Sequence, residues 1–346
     1  LVTACAILLT KAVIPGQKYR AAEKLMADGQ YHAASEAFAA LGDYRDAAER
    51  QWQPYAQQAD ALLEAGEYDS AADAYLALYR RSGKTYENAL SMADECYYRK
   101  AAALEAEGKA DEALAIYETI PDYQDSTAKQ QAIYMERGVE ALKAGQLSAA
   151  REAFAACGDM QEAQEQLKLL DVYESADAQQ KQGDYIAART AYLSLGEYLD
   201  APAQAEACGA TQYATAQGCL KSGQMASAYA MFTGLGDYSD SASQAAAIAD
   251  AYTAAEGLLS AGNYDGAAQA FGALHDYQDS AEKALEAYYQ KAGTLADSGD
   301  YDEAVALYDS LGNYRDSEAK AQTVRYTKAE ALLAAGDKTG AEAVYA

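Results

Sequence analysis

Residues 299–317 read GDYDEAVALYDSLGNYRDS, and written as G-x-Y-x-x-A-x-x-x-Y-x-x-L-G-x-Y-x-D-S they describe most of the chain. Residues 29–47 read GQYHAASEAFAALGDYRDA, residues 183–201 read GDYIAARTAYLSLGEYLDA, and residues 262–280 read GNYDGAAQAFGALHDYQDS. The first glycine of the pattern recurs at Gly29, Gly66, Gly108, Gly145, Gly183, Gly223, Gly262, Gly299 and Gly336, at intervals of 37 to 42 residues. Self-similarity at such a period marks a repeat array whose units pack mainly on their neighbours.

Three positions hold in all nine copies. A small residue stands seven before each glycine (Ala22 through Ala329, with Gly138 in copy four), an alanine five after it (Ala34 through Ala341), and an aromatic nine after it (Phe38 through Tyr345). Alanine and aromatic at i and i+4 lie on one face of a short second helix. The upstream small residue marks a longer first helix, and the glycine supplies the left-handed residue that ends it. Small residues on both helices let their axes approach closely. The expected fold is all-α, a superhelical solenoid of about nine helix-turn-helix repeats.

The second half of the pattern, L-G-D-Y-x-D-S/A, joins one pair to the next. Asp46, Asp125, Asp200, Asp240, Asp279 and Asp316 fall where a first helix begins, so each is expected to cap it, with Glu49 and Glu282 completing capping boxes. Two links depart from the pattern and are expected to kink: residues 79–86, YRRSGKTY, and the stretch after Asp200 that holds Pro202 and Gly209.

Residues 1–16 form a separate segment. LVTACAILLTKAVI is apolar but for Lys11 and shorter than the roughly 20 residues that span a bilayer. It reads as the end of a truncated membrane anchor, with Lys18, Arg20 and Lys24 at headgroup level. Val2-Thr3-Ala4-Cys5 also offers a lipoprotein signal, and a buried helix is the third reading. Residues 17–346 are the array, whose last copy stops short.

Lys+Arg 27 against Asp+Glu 53 gives a net charge of −26. Such a field repels nucleic-acid phosphates and anionic bilayers, so contact with a membrane is expected only through the N-terminal segment. Five cysteines without a C-x-x-C pair indicate no disulfide framework. His32 and His275 have no partners at metal or triad spacing, and no loop offers a calcium-binding set of oxygens. The chain reads as a non-enzyme, with no cofactor, no metal and no small-molecule substrate indicated.

The small residue, glycine, alanine and aromatic stand at spacings that resemble the tetratricopeptide repeat family over nearly the whole chain. The copies are about 37 residues rather than 34, and Asp replaces the family's helix-stopping Pro. The L-G-D-Y-x-D-S variant resembles repeats in envelope proteins of Gram-positive gut bacteria, which implies an extracytoplasmic array at a bacterial cell membrane. In that family the first helices line a concave groove through positions ten, six, three and two before the glycine. Ten before it stand Tyr19, Tyr98, Tyr173, Tyr213, Tyr252, Tyr289 and Tyr326, a ladder open to two readings: packing between repeats, or anchors for an extended peptide or glycan. Two before it, Lys143, Lys181 and Lys221 form a run that suits a carboxylate-bearing ligand or the dipole at a helix end. The family's carboxylate clamp of Lys and Asn is not matched, so a chaperone-adaptor role is not implied. The expected function is a non-catalytic scaffold that holds a peptide segment of a protein partner, one that is neutral or basic or that meets a local exception to the acidic field. A carbohydrate or cell-wall binding module, or the spacer of a longer protein, are the alternatives.

Overall fold

The structure, a computed structural model, describes residues 13–83, 86 and 88–345. The expected membrane-anchor or signal segment therefore lies almost wholly outside the described residues. Every described element is helical. The chain divides into two compact units, one running through Leu170 and the other from Asp171. The first holds α1 (Ile14–Ala27), α2 (Tyr31–Ala39), α3 (Ala47–Arg50), α4 (Gln53–Glu64), α5 (Tyr68–Arg81), α6 (Asn88–Ala106), α7 (Ala110–Tyr117), α8 (Ser126–Lys143) and α9 (Leu147–Ala156). The division falls inside α10 (Gln161–Gln182). The second unit continues with α11 (Tyr185–Ser194), α12 (Ala201–Lys221), α13 (Met225–Leu235), α14 (Ser241–Ser260), α15 (Tyr264–Ala273), α16 (Ser280–Ser298), α17 (Tyr301–Leu311), α18 (Ser317–Ala334) and α19 (Lys338–Tyr345).

These helices pack as consecutive pairs, as the periodicity predicts, with the first helix the longer except in copy two, where α5 is longer than α4. The small residues sit at the crossings. Ala22 and Ala34, Ala216 and Ala228, and Ala292 and Ala304 are all fully buried. In copy four the first-helix position is Gly138, and a β-carbon there would lie 2.4 Å from the Phe154 ring, so this pair has closed by one methyl. Each pair turns at its glycine, whose φ lies between +70° and +89° in all nine copies. At the turn after α16, the Asp300 N–H reaches back to the Leu295 carbonyl at 2.9 Å, which ends the helix with its last carbonyls satisfied.

The links hold a feature that residue types do not announce. The variable residue of L-G-D-Y-x-D-S also has positive φ, at Arg45, Gln124, Leu199, Ser239, Gln278 and Arg315. In copy seven His275 replaces the link glycine and adopts φ +46°. After the aspartate, the S/A residue opens the next helix fully buried, as Ala47, Ser126, Ala201, Ser241, Ser280 and Ser317. Only a small side chain fits there.

Two local expectations are corrected. Asp46, Asp125, Asp200, Asp240, Asp279 and Asp316 stand at helix starts, but none of their carboxylates caps the first turn. Side-chain caps occur instead at second helices, where Asp184 accepts from the Ala187 N–H at 3.1 Å and Asn263 from the Gly266 N–H at 3.2 Å. Pro202 does not kink its link either. It lies in the first turn of α12, where a missing N–H costs nothing, and the extra residues simply lengthen that helix. Within residues 79–86, α5 runs on to Arg81, and residues 84 and 85 lie outside the described residues. A break falls at Gln51–Trp52, where Pro54 in the first turn of α4 has no N–H to give the Arg50 carbonyl and so separates α3 from α4.

Candidate functional site

The tyrosine ladder is the natural place to look for a site, and its hydroxyls are already engaged. Six of the seven ladder tyrosines donate to Oδ1 of the aspartate 27 residues later, the residue that opens the next first helix, whereas Tyr326 is exposed and makes no such bond. Tyr98 meets Asp125 at 2.6 Å, Tyr173 meets Asp200 at 2.5 Å, Tyr213 meets Asp240 at 2.5 Å and Tyr289 meets Asp316 at 2.7 Å. Tyr19–Asp46 and Tyr252–Asp279 make the same bond. The aspartate that does not cap its helix is thus the acceptor for the previous repeat.

The rings are engaged as well. Each of these six rings stands between the aromatic of its own second helix and the tyrosine of the following link, with centroids 5.4 to 6.4 Å apart, while Tyr326 meets only Tyr345. For Tyr289 these neighbours are Tyr308 and Tyr314, both edge-on, and the Arg315 guanidinium covers its ring at 5.3 Å. The Lys283 ammonium lies over Tyr252 at 5.1 Å. Edge-to-face contacts and cations on ring faces are both favourable. Tyr252 is buried, while Tyr98, Tyr173, Tyr213 and Tyr289 are half-buried.

The acid–phenol bond is visible in the titration of both partners. The hydrogen bond to Asp125 pushes the Tyr98 phenol up to about 12, and the bond to Asp316 does the same for Tyr289. Tyr173 and Tyr252 are raised first by burial and then by their aspartates. On the other side, Asp46, Asp240 and Asp316 are held below the usual carboxylate range chiefly by the tyrosine hydroxyl. Asp200 is lowered first by Gln204 and then by Tyr173.

The lysine run divides between the units, with Lys143 in the first and Lys181 and Lys221 in the second. All three are exposed and occupy the last turn of their helices, α8, α10 and α12. Lys181 pairs with Asp177 one turn back at 2.6 Å. Lys143 and Lys221 form no ion pair among the described residues.

A second junction device went unread in the sequence. An acid three residues after one glycine meets a base eight residues before the next. Lys100 bonds Asp69 at 2.7 Å and Lys291 bonds Asp265 at 2.7 Å, and Arg137–Asp111 and Lys328–Asp302 make the same pair. At the other junctions neither position carries Asp, Glu, Lys or Arg, as at Ile186/Thr215 and Ala226/Ala254. The two positions change together, which is what a contact between them requires.

The remaining variable row runs beside the ladder. In six of the nine copies the residue three before the glycine follows the aromatic of the second helix; Tyr75, Tyr308 and Tyr345 stand with Leu63, Ala296 and Leu333 instead. Where that aromatic is Phe38, Phe154, Phe232 or Phe271, the first-helix residue is Met26, Leu142, Leu220 or Leu259. Where it is Tyr117 or Tyr192, it is Glu105 or Gln180, which accepts the phenol at 3.2 and 3.1 Å. Glu105 is also gripped by Lys129, four residues past the link aspartate, at 3.1 and 3.2 Å. The sequence carries this signal only as a partial covariation, in six of the nine copies.

No known family profile matches the chain, and no curated protein is matched by its sequence. Among solved structures, the crystal structure of the P58(IPK) TPR domain is 18% identical, over 85% of this chain and 81% of that one, with a TM-score of 0.17. A circular tandem repeat protein with novel repeat topology is 14% identical, over 96% of this chain and 87% of that one, also with a TM-score of 0.17. At such scores neither superposition adds to the argument. The tetratricopeptide-like repeat fold rests on the helix pairs themselves.

Proposed function

We propose that the chain is a non-catalytic protein-interaction scaffold that holds a peptide segment along its first helices. The observation that carries this reading is a division of labour among positions. The residues common to all copies, together with the tyrosine–aspartate bonds, are spent on holding repeats to one another. The row that differs from copy to copy reaches the surface beside them, and no packing need dictates Lys143 or Lys221 there. Variable side chains on an invariant frame are the form recognition takes on repeat proteins. Four ladder tyrosines, Tyr98, Tyr173, Tyr213 and Tyr289, offer ring edges to such a segment, and Lys143, Lys181 and Lys221 offer local positive charge within an acidic body.

A glycan is less well served, because stacking on sugar faces needs open ring faces and the ladder rings are enclosed by other rings and by cations. The resemblance of the link motif supports an array displayed at a bacterial cell envelope. No described helix is long and apolar enough to cross a membrane. Selection of a displayed peptide library against the chain is expected to enrich acidic sequences whose binding weakens at least tenfold in a Lys143→Glu, Lys181→Glu, Lys221→Glu variant. Enrichment without acidic residues, or binding unmoved by the variant, would contradict the proposal.

A further inference from the structure

One second-helix tyrosine hydroxyl breaks the pattern of the inner row. Tyr308 is the second-helix aromatic of copy eight and is 3% exposed. In Tyr75, Tyr117 and Tyr192, the same position in other copies, the hydroxyl donates to Asp60, Glu105 or Gln180 from the facing first helix. The corresponding first-helix residues of copy eight are Gly293 and Ala296, which have nothing to offer. Tyr308 has no hydrogen-bond partner among the described residues, and its hydroxyl lies 3.4 Å from where a β-carbon on Gly293 would stand. Above it is a cavity of about 280 Å³ whose walls include Ala296, Lys320, Thr323 and Val324.

Copy three shows what this arrangement holds. There Tyr117, Lys129 and Glu105 form a cradle in which the phenol and the ammonium grip one carboxylate. Tyr308 is the counterpart of Tyr117, Lys320 is the counterpart of Lys129, and Ala296 stands where Glu105 does. Lys320 makes no ion pair among the described residues. Thr323 spends its proton on the Ala319 carbonyl at 2.8 Å and Thr327 on the Thr323 carbonyl at 3.0 Å. The side-chain donors left to the cavity are Tyr308, Lys320 and, on its wall, Tyr301, and only the first two have counterparts in the copy-three cradle.

We propose that this cavity takes the side chain of a glutamate from a protein partner, replacing the carboxylate that copy three supplies from its own helix. The inference rests on the peptide-scaffold reading and names one contact of it. One acid, Asp297, lines the cavity, and a second, Asp316, acts on the Tyr308 phenol through its charge. Asp316 is tied to Tyr289, and copy three keeps Glu105 beside the equivalent Asp125, so that charge does not bar a carboxylate. Asp297 lines the wall but makes no bond to Tyr308 or Lys320. A carboxylate gripped by one ammonium and one phenol gains charge-assisted bonds at a partly desolvated site.

The first test needs no partner. Ala296→Glu rebuilds the cradle of copy three, and its thermal midpoint is expected to rise above wild type, with the rise abolished when Lys320→Met is added. A lower midpoint, or a gain independent of Lys320, would overturn the assignment. The second test titrates the chain with N-acetyl-Ala-Glu-Ala-amide, the Gln version of that peptide, and propionate, read by amide shifts of Ala296, Val324 and Thr327. The Glu peptide is expected to bind at least tenfold tighter than the Gln peptide and than propionate, to gain in Asp297→Ala, and to lose binding in Ala296→Glu. Equal binding of the two peptides would refute the cradle, and equal binding of propionate would assign it to small carboxylates rather than a protein. Library peptides that bind normally to Ala296→Glu would leave the scaffold reading standing and sink this one alone.

Discussion

Ser241 and Ser280 open α14 and α16 with side chains fully buried and hydroxyls that find no hydrogen-bond partner. A buried, unsatisfied hydroxyl costs about 1–3 kcal/mol, and copies one and five already place alanine here, as Ala47 and Ala201. Ser280→Ala is therefore expected to raise unfolding free energy by about 1 kcal/mol in urea melts; a loss of stability would show that the hydroxyl is satisfied. The pairing of second-helix aromatic with first-helix neighbour makes the opposite prediction. Phe232 packs in the core with Leu220 beside it, so Phe232→Tyr buries a hydroxyl against carbon and should cost about 1–3 kcal/mol. Adding Leu220→Gln recreates the Tyr192–Gln180 pair and is expected to restore most of that loss, whereas additive destabilisation in a double-mutant cycle would break the rule.

At the scale of the helix, the tyrosine–aspartate bond joins one first helix to the start of the next, and its protonation sets two pH limits. The phenols of Tyr98 and Tyr289 are raised to about 12 in the folded chain, so the stability they contribute is whole below their unfolded value of about 10 and is lost as pH climbs from there through about 12. Asp46, Asp200, Asp240 and Asp316 are depressed, so their share is present above about pH 4 and is lost as pH falls through their lower folded values. Thermal midpoints are expected to hold steady toward pH 10 and then drop, with a shallower drop in Tyr98→Phe, Tyr289→Phe. An unchanged slope in that variant would place the alkaline loss elsewhere. This bond was hard to read in advance because each partner had a sufficient local explanation. The tyrosine fits a groove and the aspartate fits a helix cap, and only their constant separation of 27 residues hints that they meet.

For the molecule as a whole, the parts legible in the sequence are those every copy repeats at helical spacing: the turning glycine, the small residues of the crossing, and the second-helix aromatic. What escaped the reading depends on contacts between copies or on backbone shape alone. The left-handed link residue is Arg, Gln, Leu or Ser in different copies, so its conformation leaves no mark on residue type. The ion pairs of the Lys291–Asp265 kind appear in four junctions and vanish in pairs elsewhere, which becomes a signal only once copies are compared. Each such surface pair is worth about 0–1 kcal/mol, so they set register more than they supply stability. If successive repeats are held chiefly by the aromatic triad and its aspartate, damage at one junction should stay local, as expected of a quasi-one-dimensional array. Hydrogen exchange read by mass spectrometry on Asp316→Ala tests this most directly. The account predicts that protection falls in α18 and α19 while α12 through α15 keep theirs; unchanged protection in α18, or an equal fall from α12 to α19, would contradict it.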